Sequence, residues 1–216
     1  MPNLAALVDN DILVKLARYD LYSDFLPEIG VSPAEVGLHP LAQYSLGLRD
    51  PKRVQRKAGS PAAATRVIAA AKSASLVSTT HQEQQLAAEF VARANQAGLQ
   101  IDVGEATLFA IGSVRPVSII ATGDKRSVRA LSTLQPSIGQ AAALSGHILC
   151  LEQIIEIILR ARGVGYVGPR IRADSAADIS VSACFGGVGT SQNDVLLNLA
   201  RRTAELRARS GALLMP

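Results

Sequence analysis

Residues 3–16 read NLAALVDNDILVKL, and the way this stretch divides decides the fold. Leu4 to Val8 is an uninterrupted run of small and branched apolar side chains, the composition of a strand buried on both faces of a parallel sheet. From Ile12 to Tyr19 the pattern turns helical, with Leu13, Leu16 and Ala17 on one face and Lys15 and Arg18 on the other. Asp9 then stands at the carboxyl end of a buried strand, the edge of an open α/β sheet where ligands bind. The plain alternative is that Asp9 or Asn10 only N-caps the helix.

Working outward, strands and helices keep alternating. Ser32, Pro33 and Glu35 have the form of an N-cap with proline at the first helical position, and predict a second helix toward Leu48, interrupted at Pro40. An alanine-rich helix from Pro61 to about Ala71 and a short strand over 75–79 follow. Next comes a helix over 81–97, its apolar period carried by Leu86, Ala87, Phe90, Val91 and Ala94 and its end marked by Gly98. Residues 99–102 suit another short strand. A helix from Gly104 to about Ile111 leads into Val117 to Thr122, a second buried strand by the same apolar logic, and Asp124 opens a helix from Lys125 to Leu134. The remainder reads as a strand over 147–151, a helix from Glu152 to Arg162, a glycine-rich turn over 163–168, a flexible connection over 183–190 and a long helix over 191–210. This alternation predicts a three-layer α/β/α fold with a mostly parallel central sheet. Residues 1–165 form the main domain, and 166–216 an extension that packs on it or supplies a dimer contact.

Composition narrows the function. At 216 residues, 48% apolar and 19% charged, the chain is a globular domain with a sizeable core. Aromatic residues make up 4% and Trp is absent, which argues against a platform of stacked bases. A net charge of +4 permits a phosphate-rich partner without demanding one. The most basic segment, RDPKRVQRK over 49–57, reads as a solvated face or a contact for a nucleic-acid backbone. Cys150 and Cys184 lack metal-ligand spacing, and Cys150 sits in an apolar run as an inert buried thiol. ACFGGVGT over 183–190 lacks the lysine of a phosphate loop. The opening residues do not have the form of a signal peptide, and the apolar run from Ile148 to Leu159, broken by Glu152 and Glu156, is too short to span a bilayer; the expectation is a cytoplasmic protein.

The acids carry the functional reading. Parallel strands end on the same edge, so Asp9 and Asp124 converge if their strands are neighbours, and Glu105, with Asp102 three residues earlier, opens the helix that feeds the second strand. Carboxylates gathered at one edge repel unless a cation neutralises them, and hard divalent ions with oxygen ligands, Mg²⁺ or Mn²⁺, suit such a set.

ALVDNDILVKLA, IDVGEATLFAIG and SIIATGDKRSVRAL, in that order, resemble the acidic motifs of the PIN domain family of ribonucleases over residues 3 to 165. The resemblance implies metal binding by Asp9, Glu105 and Asp124. It puts Asp11 near the metal and Thr122 at a small hydroxyl position, and makes Lys125 and Arg126 candidate backbone contacts. The family's second acid comes from an early helix with a proline at its start. VSPAEVGLHPL offers Glu35 for that role, although strict spacing points nearer His39. The implied activity is a metal-dependent endoribonuclease acting on RNA, in some relatives the toxin of a pair with an antitoxin partner. Two alternatives stand beside it. Asp9-Asn10-Asp11 has the DxD form of haloacid-dehalogenase-like phosphatases, with Asp9 as nucleophile. A PIN-like module that binds RNA or protein without cutting is the other.

Overall fold

The computed structural model describes residues 4–216. Five parallel strands form one sheet: β1 (Ala6–Val8), β2 (Val36–Leu38), β3 (Ser75–Leu76), β4 (Ile119–Thr122) and β5 (Ile148–Cys150), in the order β3-β2-β1-β4-β5. Asn3, which opens the stretch that decides the fold, lies outside the described residues. Strand residues alternate between two cores, as the pleat requires. Ala6, Val8, Ile119 and Ala121 point into one, and Leu7 and Ile120 into the other.

Helices cover both faces. The first core is closed by α1 (Asn10–Arg18), α2 (Tyr22–Glu28), α4 (Pro51–Ala58), α5 (Pro61–Ser73), α9 (Leu151–Arg162), α10 (Val164–Ala173) and α11 (Ile179–Phe185). The second is closed by α6 (His81–Gln96), α7 (Val103–Val114) and α8 (Lys125–Leu134). The short α3 (Ala42–Ser45) follows β2, and α12 (Gln192–Ser210) serves both layers, with Val195 and Leu199 in the first core and Leu206 in the second. The fold is therefore the expected three-layer α/β/α arrangement, with a sheet that is parallel throughout. Because the chain winds from β1 outward to β3 and then returns to the other side of β1, the strand order reverses between β1 and β4. That crevice is where ligands settle in open α/β sheets. Residues 166–216 contribute Val167, Ile171, Val181, Phe185, Val195 and Leu199 to the same core as α1 and α9.

Four local expectations are corrected. The helix from Ser32 to Leu48 forms only as the short α3 beyond Pro40. Ser32 and Glu35 do make a capping box, Ser32 N donating to Glu35 Oε2 at 2.9 Å, but it closes a single 3-10 turn over Pro33–Glu35. The chain then extends as β2, held on both sides by β1 and β3. Residues 99–102 are not a strand, and Asp102 instead caps α7. The glycine-rich stretch over 163–168 is the start of α10 rather than a turn. In 183–190, α11 continues to Phe185 before the turn. No described helix is long and apolar enough to cross a membrane.

Candidate metal centre

The crevice at the carboxyl ends of β1 and β4 collects the acids. Asp9 follows β1 directly, its amide donating to the Ala121 carbonyl at 2.9 Å, so the β1–β4 ladder fixes the backbone of this residue. Asp124 lies two residues beyond β4. A third approach comes from α7, which lies close on the sheet because Gly112 faces Ile120, where a Cβ would collide with the Ile120 side chain. This seating brings the amino end of α7, with Asp102 and Glu105, over the crevice. Carboxylate oxygens of Asp102, Glu105 and Asp124 all lie within 4.8 Å of one another, a set that could hold a metal ion and in which Asp102 stands where Asp9 was expected.

Each aspartate also caps a helix. Asp9 Oδ2 accepts from the Asp11 amide at 3.2 Å. Asp102 Oδ1 accepts from the amides of Gly104 and Glu105 at 2.8 and 3.1 Å. Asp124 Oδ1 accepts from the amides of Arg126 and Ser127 at 2.8 and 3.3 Å, and its Oδ2 from Ser127 Oγ at 3.0 Å. Three helix amino termini thus point at one crevice, and their partial positive charge favours the carboxylates there. The cap and the cluster are two uses of the same side chains.

The helix termini do not neutralise the cluster fully. Burial, a hydrogen bond with Asp102 and the charges of Asp9 and Asp102 push the Glu105 carboxyl up to about 9, so without a cation it keeps its proton at neutral pH. Asp102 is correspondingly held low, first by the Glu105 hydrogen bond and then by the α7 amides. Burial and the nearby Asp11 raise Asp9 to about 6. The proton belongs to the group as a whole, and a cation is the natural replacement for it.

Around the acids lies a cavity of about 520 Å³ lined by Asp9, Asp11, Glu105, Gly123, Asp124, Lys125, Arg126, Asp178 and Ser180. Lys125 in its lining and Lys15 behind it are engaged. Lys15 sits between Asp11, at 2.6 Å, and Asp178, at 2.9 Å, and their attraction outweighs burial to keep its ammonium above the ordinary lysine range. Lys125 pairs with the buried Glu152, which also accepts from Ser180 Oγ at 3.1 Å. Arg126 Nε lies 3.4 Å from Asp124. Asp178 and Ser180, at the start of α11, carried no sequence signal, yet the C-terminal helices complete this wall.

The remaining candidates fall as follows. Thr122 is buried and its hydroxyl accepts from the Asp124 amide at 3.2 Å, shaping the turn after β4. At Gly123, next, a Cβ would meet the Asp11 carboxylate, which would have to shift. Asp11 is half-exposed and committed to Lys15. Glu35 does not reach the site. It precedes β2, at the amino edge of the sheet, and is tied to Ser32. His39 follows β2 at the carboxyl edge and is buried, with Nε2 lacking a hydrogen-bond partner. Its Nδ1 accepts from the Leu41 amide at 3.0 Å, so the neutral ring carries its proton on Nε2 and is a donor there rather than a metal ligand. Burial lowers the His39 pKa against the opposing pull of Asp102. Cys150 is a buried thiol that burial pushes up to about 12, inert as expected.

Fold and site define a class: a parallel three-layer α/β/α protein with an acidic cluster at its switch point. No protein-family model, curated protein or solved structure matches the chain.

Proposed function

We propose that this chain is a metal-dependent endoribonuclease of PIN type, with Mg²⁺ or Mn²⁺ as its cation and RNA as its substrate. The observation that carries the reading is the convergence of Asp102, Glu105 and Asp124 at the β1–β4 crevice with Asp9 beside them. An all-carboxylate donor set suits a hard, oxygen-loving ion. Bound there, such an ion supplies Lewis acidity toward a phosphodiester. Asp102, Glu105 and Asp124 would hold it, with Glu105 in its deprotonated form. Asp9 would orient the attacking water and take its proton while the P–O bond to the leaving ribose oxygen breaks and that oxygen is protonated from solvent, a role that fits a carboxylate shifted toward neutrality. Lys125 and Arg126 border the same cavity and steer the phosphate chain.

Cleavage of single-stranded RNA with Mg²⁺ or Mn²⁺, compared across wild type, Asp124→Asn and Glu105→Gln, tests the proposal. Loss of cleavage by at least a hundredfold in both variants is expected, in line with removing a group that stabilises transition-state charge. Cleavage that survives both substitutions sinks it. Hydrolysis of a small phosphate ester through a phosphoryl adduct on Asp9 selects the phosphatase alternative, and cation binding without either activity selects the binding module.

A further inference from the structure

Positive charge near the crevice is of two kinds. Lys15, Lys125 and Arg126 are each ion-paired with a carboxylate. In contrast, Arg49, Lys52, Arg53, Arg56 and Lys57, on and just before α4, are exposed and have no carboxylate partner among the described residues. Asp50, the lone acid of this segment, is used as the N-cap of α4, accepting from the Lys52 amide at 3.0 Å. An open cleft of about 580 Å³ lies along this face, lined by Asp50, Lys52, Gln55, Arg56 and Gly59.

Beside the cations stands an aromatic ring. The chain has four Tyr and four Phe, and Tyr44, 52% exposed, is the one among them that is largely open to solvent. The Arg49 guanidinium lies over its ring, 5.5 Å from the centroid. Tyr44 belongs to α3, on the same sheet edge as the acids. Its neighbour Ser45 accepts from Asn10 Nδ2 at 2.8 Å, and Asn10 directly follows Asp9. Lys57 of α4 donates to the Ser45 carbonyl, so Ser45 touches both α4 and the residue that follows Asp9.

From this juxtaposition we infer that α3 and α4 form the docking surface for single-stranded RNA, with a base stacked on Tyr44 and the phosphates on Arg49, Lys52 and Arg56. The choice of RNA rests on the ribonuclease reading, whereas the preference for a single strand follows from the ring. In a duplex both faces of each base are covered by neighbours, so only an unpaired base offers a face to Tyr44. The scarcity of aromatic residues rules out an extended platform but leaves room for this single one.

Fluorescence anisotropy of the full chain with a labelled RNA of about 20 nucleotides, in EDTA so that no strand is cut, tests the inference. Single-stranded RNA should bind more tightly than its duplex. Tyr44→Ala should weaken single-strand binding about tenfold while Tyr44→Phe retains it, as stacking requires. Replacing Arg49, Lys52 and Arg56 together with Ala should lower the slope of log affinity against log salt by about two, from roughly 0.7 per phosphate contact. The inference is overturned if Tyr44→Ala binds like wild type, if the duplex is preferred, or if the salt slope of the triple variant is unchanged. The two proposals fail separately. Tyr44-dependent binding without cleavage in Mn²⁺ removes the nuclease and keeps the surface, whereas cleavage by Tyr44→Ala at wild-type kcat/KM does the reverse.

Discussion

Glu105 makes the acidic cluster measurable without knowledge of a substrate. Its carboxyl releases its proton at about 9 in the folded chain and near 4.5 when unfolded. Between those values the folded state binds more protons than the unfolded one, so metal-free stability falls as pH rises through that window, by at most about 1.4 kcal/mol per unit. Asp9, raised from 3.8 to about 6, acts in the same direction over its narrower range. Urea denaturation from pH 5 to pH 9 should show this decline in wild type and a flatter profile in Glu105→Gln. Saturating Mn²⁺ should reverse the decline in wild type, because the cation replaces the proton. The double use of the aspartates sets which substitutions are informative. Asp124→Asn keeps an N-cap acceptor and should melt close to wild type while losing cation affinity by isothermal titration. Asp124→Ala should additionally lose about 1 kcal/mol of stability through the uncapped α8.

At the scale of single elements, the seating of α7 on β4 is the joint that assembles the centre. Gly112→Ala forces a methyl against Ile120. The expected cost is roughly 1–3 kcal/mol, as for other overpacked core sites, together with weaker Mn²⁺ binding because Asp102 and Glu105 ride on the displaced helix. Thermal melts and titration calorimetry check both. Elements of this kind differ in how far the sequence disclosed them. β1 and β4 were legible because each lies in a dominantly apolar run, and α8 was legible from its opening Asp. β2 was not. Three residues, Val36-Gly37-Leu38, carry no period, and the genuine capping box ahead of them imitates a helix start. What makes them a strand is the pair of neighbours on either side, a tertiary cause that local pattern does not encode. The misreading of β2 also placed Glu35 wrongly, since a residue before a parallel strand and one after it sit on opposite edges. Glu105 and Asp124 were readable from strand ends and order, whereas Asp9, expected with them as a ligand, lies outside the set of three. Asp102, by contrast, looked like a flanking residue until α7 brought it within the triad. Asp178 and Ser180 arrive from a segment without any motif, so only packing reveals them.

For the whole molecule, the C-terminal helices belong to the structure that holds the site. Phe185, Val195 and Leu199 are fully buried in the core shared with α1 and α9, and Asp178 anchors Lys15. Deleting residues 164–216 should expose that core and yield a chain that aggregates or shows the circular dichroism of an unfolded protein, rather than a stable smaller domain. The strand order adds a consequence for how the molecule comes into being. Ala6 of β1 lies beside Ile119 of β4, more than a hundred residues later in the chain. Loop closure over that span is costly and late compared with the nearer pairing of β1 with β2. A growing chain that has not yet delivered β4 has Asp9 but no Asp124, and nothing to seat α7. The centre thus cannot form until β4 has paired with β1, and an ion that binds it favours only states in which that pairing is made.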